Sequence, residues 1–439
     1  MRIFVIGAGQ VGSTIVEALH AEHDLTVIDL DGGRLSALAY RFDIKTVQGN
    51  GASRRALQAA GIAQADLVIA CTSRDEPNII AALLARSLAP EAKTIVRTTN
   101  IEYLEVWHER LFNVDFIVSS ELETALAVSR LIGVPAARQT DVFADGQVQI
   151  VEFDVERGSR VVGCPLRDAE LPADSRVASI IRGDRMIPPF GKESIEVGDR
   201  VIVIGSPHAA REWSTLMAGV TRRVDNVVIF GAGRIGIAVA QVLLDQEIDV
   251  RLVEADRDRA REVAELLPGA HVLHATGIDA DFFERERIGK AQAAIVAMRD
   301  DARNLYASVL AKLHGIPLAI AIVHELGAVE IYEAAGVSVT INPRSLTAEE
   351  IVRFAHDPRT QQVAMLEGDR YEILDITVRG TSELVGKRFR ELPMTGSFVG
   401  AIIRDGKAII PHGNDVLEAG DRAILFTESA RVGEVEALL

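Results

Sequence analysis

Residues 5–12 read VIGAGQVG, and residues 229–236 read IFGAGRIG. Each is an apolar run that closes on Gly-x-Gly-x-x-Gly, the turn that lets a backbone approach a pyrophosphate. Gly7, Gly9 and Gly12 match Gly231, Gly233 and Gly236 at an offset of 231 − 7 = 224. Val11, Ile15, Ala18 and Leu19 correspond to Ile235, Val239, Val242 and Leu243, a spacing that predicts one apolar helix face after each turn. Both fingerprints therefore sit between a strand and a helix.

The alternation continues in step through each half. LTVID (25–29) answers VRLVE (250–254), KTVQ (45–48) answers HVLH (271–274), and LVIAC (67–71) answers AAIVAM (293–298). Two further short strands follow in each copy, TIVR and DFIV in the first, LAIAI and VSVTI in the second. Six apolar strands separated by helical segments are the complement of a Rossmann sheet. A smaller piece follows each one. VASIIRGDRMIPPFGKESIEVGDRVIVIG (177–205) is answered by VGAIIRDGKAIIPHGNDVLEAGDRAILF (399–426), with Ile180-Ile181-Arg182 matching Ile402-Ile403-Arg404 and Gly198-Asp199-Arg200 matching Gly420-Asp421-Arg422. Gly-Asp, Asp-Gly and Pro turns between short apolar runs predict hairpins. The expected fold class is α/β: two Rossmann-like doubly wound parallel sheets, each followed by a small β-rich α+β domain. The expected boundaries are 1–135, 140–220, 224–350 and 360–439.

Composition narrows the function. Of 439 residues, 47 are Lys or Arg and 63 Asp or Glu, a net charge of −16 that repels nucleic acid phosphates and anionic lipid. Cys71 and Cys164 are the two cysteines, without CxxC spacing, so they read as small buried apolar residues in a reducing compartment. The N-terminus imitates a signal peptide, but the internal copy at Asn226 and the glycines within the apolar stretch argue against one. No uncharged apolar run approaches the roughly 18–20 residues that span a bilayer.

In the first turn, Gly7, Ala8, Gly9, Gln10, Val11 and Gly12 present backbone N–H groups at a helix N-terminus. Asp29, about 20 residues on at the end of the second strand, is placed to accept from ribose hydroxyls and to repel a 2′-phosphate, which favours NAD or an adenosine nucleotide over NADP. Gly231, Ala232, Gly233, Arg234, Ile235, Gly236 and Glu254 repeat the pattern. Further contacts are expected at strand ends: Gly49-Asn50-Gly51 with Ala52, Thr72-Ser73, and Arg97 at the fifth strand for a phosphate. Arg97 also reads as a solvated strand cap. The second copy has Ala275-Thr276-Gly277 in the place of Gly49-Asn50-Gly51, and Ala321 near the place of Arg97, so its site is expected to prefer another ligand or to bind weakly.

No catalytic constellation emerges. None of the five tyrosines has a lysine four residues on, and neither GxSxG nor GxxxxGK[ST] is present. His20 and His23 lack a third ligand, and the charge runs 257–261 and 284–287 read as solvated helix faces.

The fingerprint GAGQVG with Asp29, the stretch VQGNGA, the segment CTSRDEPNIIAALLA and the duplicated IIR and GDR pieces resemble, over essentially the whole chain, the family of Trk potassium-uptake regulatory proteins with two regulator-of-potassium-conductance (RCK) units. The resemblance implies a non-enzymatic cytoplasmic subunit, peripheral on the inner face of the membrane. It further implies a homo-oligomeric ring, a tetramer of tandem chains, beneath a potassium-translocating membrane subunit of Trk type. The implied ligands are NAD or NADH, and ATP or ADP, at Gly7 to Val11, Asp29, Gly51, Ala52, Thr72, Ser73 and Arg97. The rival readings are an NAD-dependent oxidoreductase and a free-standing nucleotide sensor.

Overall fold

The computed structural model describes residues 1–439 apart from 22, 145, 184, 188, 219–223, 338, 353–359, 367–370 and 393–396. The expected domain end at 220 lies outside the described residues. The chain forms two compact units, residues 1–126 with 227–356, and residues 127–226 with 357–439.

The first unit contains two parallel six-stranded sheets. One comprises β1 (Arg2–Ile6), β2 (Asp24–Asp29), β3 (Lys45–Gln48), β4 (Leu67–Ala70), β5 (Lys93–Thr98) and β6 (Phe116–Ser119), in the order β3-β2-β1-β4-β5-β6. Its central strands are apolar on both faces because helices cover both: Ile3, Val5, Val68 and Ile69 have no appreciable exposure. The strand order reverses between β1 and β4, and that crevice is where open α/β sheets receive ligands.

The helix Gln10–Leu19 buries Val11, Gly12, Ile15, Val16 and Leu19. Ala18, expected on this face, is exposed, because the buried stripe advances by alternate steps of one and three and so takes up Val16 instead. In the second copy the helix Arg234–Asp245 buries Ala238, Val239, Ala240 and Leu243, and the expected Ile235 and Val242 are only half-buried.

In the second unit, two antiparallel five-stranded sheets carry the small domains. β7 (Ala137–Phe143), β8 (Val148–Asp154), β9 (Ser175–Arg182), β10 (Arg185–Ile187) and β11 (Arg200–Gly205) run in the order β10-β9-β11-β8-β7. Back in the first unit, the second parallel sheet repeats the first sheet's order with β12 (Asn226–Phe230), β13 (Asp249–Glu254), β14 (His271–His274), β15 (Ala293–Val296), β16 (Leu318–Ile322) and β17 (Val339–Ile341). β18 (Thr360–Leu366), β19 (Tyr371–Thr377), β20 (Ser397–Arg404), β21 (Lys407–Ile409) and β22 (Arg422–Glu428) then form the last sheet, ordered β18-β19-β22-β20-β21.

The repeated IIR and GDR motifs have a structural explanation. The Arg182 guanidinium donates to both carboxylate oxygens of the buried Asp199, at 2.8 and 2.9 Å, and Arg404 does the same to buried Asp421, at 2.8 Å for both. Each pair ties a sheet strand to the Gly-Asp turn that precedes the next strand. The two small sheets share one core, in which Phe143, Ile150, Ile202 and Ile204 pack with Tyr371, Ile373, Ile424 and Phe426. Gly400 lies against this core, where a Cβ would stand 2.7 Å from Ile204 Cδ1 and the isoleucine would have to shift.

Candidate functional site

The three glycines of the first turn differ in what the fold asks of them. Gly7 has φ +115°, a conformation that side chains rarely adopt, and a Cβ would meet the Thr72 amide nitrogen at 2.9 Å. Gly12 lies under the turn, where a Cβ would sit 1.9 Å from the Gly7 carbonyl oxygen. At Gly9 the nearest atom to an added Cβ is Arg34 Nη1 at 4.0 Å, so the fold itself leaves that position open. An open cradle above a packed turn is what a pyrophosphate against a helix N-terminus requires.

Asp29 braces this turn. Its Oδ2 accepts the Ala8 N–H at 2.6 Å and its Oδ1 accepts the Asp31 N–H at 2.8 Å, so the carboxylate is fixed by backbone donors and keeps lone pairs for a ribose. Glu254 repeats the arrangement with the N–H groups of Ala232 and Asp256, both at 2.9 Å. Asn50 shapes its loop, its Oδ1 accepting the Ala52 N–H at 2.9 Å. Gly51 is glycine because a Cβ would stand 2.1 Å from Ile6 Cγ2.

Arg97 is anchored rather than a free strand cap. Its Nε donates to Ser120 Oγ at 3.0 Å and its Nη1 to the Thr72 carbonyl at 3.1 Å, which leaves the rest of its five donors for a ligand. Asn78, fully buried and absent from the expected site, holds the two strand ends together: its amide accepts from the Thr72 N–H and donates to the carbonyls of Thr72 and Arg97. Asn304 performs the same task for Met298 and Ile322. This places Ile322, rather than the neighbouring Ala321, at the position of Arg97. The signal was an asparagine six residues after Thr72 and again after Met298. Cys71 is buried beneath the turn, and burial pushes its thiol up to about 12, so no thiolate forms there. Cys164 is half-buried, more exposed than a core position.

A cleft of about 860 Å³ collects Gly7, Ala8, Gly9, Gln10, Val11, Asp29, Asn50, Gly51, Ala52, Thr72, Ser73 and Arg97; of the residues expected at the first site, Gly12 alone stays outside, under the turn. Arg34 and Arg74 line it as well, and so do Glu325 and Arg344 of the second Rossmann domain, which the sequence did not single out. The residues expected at the second site, Gly231 to Gly236 and Glu254, lie apart from this cleft around their own turn, where Gly231 has φ +103° and a Cβ on Gly236 would reach the Gly231 carbonyl oxygen at 1.9 Å. There Arg234 Nη1 donates to Thr99 Oγ1 of the first Rossmann domain at 2.7 Å. Among the described residues, no group of three His, Cys, Asp or Glu is placed to hold a metal ion, and no helix is long and apolar enough to cross a membrane.

This arrangement is matched by known proteins. Residues 3–120 and 227–343 each match the TrkA-N domain family, and residues 150–217 and 373–439 each match the TrkA-C domain family. The chain is 32% identical over 442 residues to a Trk system potassium uptake protein TrkA homolog of Archaeoglobus fulgidus, covering 100% of both chains. It is 30% identical over 457 residues to the Trk system potassium uptake protein TrkA of Haemophilus influenzae, covering 100% of this chain and 98% of that one. A structure described as the GsuK channel bound to NAD superposes with a TM-score of 0.62 at 19% identity, covering 100% of this chain and 79% of that one, a likeness of fold. With two TrkA-N and two TrkA-C domains in tandem, the chain belongs to the TrkA family of Trk potassium uptake proteins.

Proposed function

We propose that the chain is the nucleotide-binding regulatory subunit of a potassium uptake system, gating a Trk-type membrane subunit in response to NAD(H), ATP or ADP. The observation that carries this reading is the cleft at the crevice between β1 and β4. It combines an open glycine cradle, an acid fixed at the end of β2 and an anchored arginine at the end of β5. The residues fit a nucleotide: Gly7 to Val11 would face the phosphates, Asp29 the ribose, Gly51, Ala52, Thr72 and Ser73 the remaining walls, and Arg97 a phosphate. Gly231 to Ile235 and Glu254 would form a second, weaker site.

In this reading the four domains follow the boundaries 1–135, 140–220, 224–350 and 360–439. The chains assemble as a tetrameric ring on the cytoplasmic face of the membrane. A ligand shifts the gate only by the difference in its affinity for the open and closed arrangements; a tenfold difference is worth about 1.4 kcal/mol per site, and a ring multiplies it. The net charge of −16 disfavours nucleic acid as a partner. The test is calorimetric titration with NAD, NADH, ATP and ADP of the wild type, Asp29→Ala and Glu254→Ala, followed by potassium flux in vesicles holding the membrane subunit. Asp29→Ala is expected to weaken binding about tenfold or more. Unchanged binding in both variants refutes the placement of both sites, and steady NADH turnover with a carbonyl substrate refutes the regulatory reading.

A further inference from the structure

The two copies match closely enough for their site residues to be paired one by one. In the first copy, Arg74 caps the helix Asp75–Leu88; in the second, Asp300 caps the helix Asp301–Leu313. Arg97 stands opposite Val118 in the register of β5 with β6, and Ile322 opposite Ile341 in the register of β16 with β17. Three residues beyond those partners lie Glu121 in the first copy and Arg344 in the second.

Each of these last two residues faces the other domain's turn. The helix Pro343–Val352 packs on the helix Gln10–Leu19, and Arg344 lines the first cleft, held by a 2.9 Å hydrogen bond from its Nη1 to the His324 carbonyl. Glu121 is 9% exposed, its Oε2 has no hydrogen-bond partner, and it lies within electrostatic reach of Arg234 in the second turn. The first cleft is lined by Arg34, Arg74, Arg97 and Arg344 and by the carboxylates of Asp29, Asp31 and Glu325. Around the second turn, the positions that match Arg74, Arg97 and Arg344 are Asp300, Ile322 and Glu121, while Arg234 stands where the first turn has Gln10. Protonated or not, Glu121 supplies no positive charge where Arg344 does.

We propose that Arg344, contributed by the second Rossmann domain, is a ligand-binding residue of the first cleft. It selects a nucleoside triphosphate there, while the second turn, with Glu121 in the matching place, rejects one. The inference rests on the first cleft being a nucleotide site and adds to it the ligand class and the residue that reads the third phosphate. Because the contact crosses from one Rossmann domain to the other, a bound triphosphate ties the two together, whereas a dinucleotide held by the turn and Asp29 does not need Arg344.

The test is calorimetric titration of the full chain with ATP and NAD as wild type, Arg344→Ala and Arg344→Lys, with thermal melting of each. The expected result is one ATP bound per wild-type chain. ATP affinity should drop about tenfold in Arg344→Ala while NAD affinity changes by less than about threefold, and lysine should restore part of the loss because it keeps the charge without the fork. Should the alanine variant lose its melting transition, the ratio of ATP to NAD affinity in the lysine variant decides. Equal weakening of ATP and NAD, no weakening of either, or two equivalent ATP sites per chain overturns the inference and leaves the nucleotide reading intact. A wild type that binds neither ligand removes both.

Discussion

Glu121 gives the sharpest test of the packing between the Rossmann domains. Its carboxyl is pushed up from an ordinary 4.5 to about 7 by burial, opposed by its own backbone N–H and by Arg97 from β5 and Arg234 from the second turn, and reinforced by Asp75. A raised carboxyl pKa means that the folded state favours the neutral form. The associated stability is fully present below pH 4.5 and is lost as pH rises through about 7. At about 1.4 kcal/mol per pH unit, the span corresponds to roughly 3 kcal/mol carried as a cost above pH 8. Glu121→Gln has nearly the same shape without the ionisation, so it should match the wild type at pH 5 and exceed it at pH 8.5. For a unit of this size, roughly 3 kcal/mol is about 6–10 °C in the melting transition. Differential scanning calorimetry of both proteins, free of nucleotide, at the two pH values reads the difference. A variant that melts at or below the wild type at pH 8.5, or one whose advantage is the same at pH 5, would refute the reasoning, because it would mean that Arg97 and Arg234 hold the ionised carboxylate better than burial penalises it.

The glycines of the first turn separate folding from binding. Gly9→Ala, with open space around the new methyl, should melt within about 0.5 kcal/mol of the wild type yet lose nucleotide affinity in titration. Gly12→Ala, whose methyl would lie 1.9 Å from the Gly7 carbonyl, should lose several degrees in melting temperature whether or not ligand is present. In the other unit, Asp421→Ala leaves Arg404 without its buried carboxylate. Because the arginine side chain remains 27% exposed and can reach water, the cost should fall to about 2–3 kcal/mol, below that of a fully buried pair, as read by urea unfolding.

The two Rossmann sheets were legible because parallel strands covered by helices on both faces must be apolar throughout, and the runs containing Ile3–Ile6 and Val227–Phe230 could hardly be anything else. The glycine turns and their acids were legible for a different reason: each depends on local spacing, which a linear sequence preserves. β7, β8, β18 and β19 were not singled out, since they lie outside the segments in which the Gly-Asp turns drew attention. The joint core of the small sheets was invisible because face-to-face packing of residues as distant as Ile204 and Phe426 leaves no local signature. Arg344 was missed on the same grounds, as nothing around position 344 indicates that its side chain lines a cleft built on Gly7 and Asp29.

That last omission shows what duplication within one chain permits. Two identical domains related by a twofold axis face each other with the same residue, so a cation opposite one turn is necessarily a cation opposite the other. Fusing the copies removes that constraint. Arg344 opposite the first turn and Glu121 opposite the second are then free to differ in sign, and Arg74 and Arg97 differ from Asp300 and Ile322 in the same direction. Arg74, Arg97 and Arg344 thus have no cationic match in the other copy, whereas the turn itself runs the other way, with Gln10 in the first copy and Arg234 in the second. If the first cleft holds the nucleotide we propose, its ligand and the Arg234–Thr99 contact at the second turn sit on one chain that would couple the two.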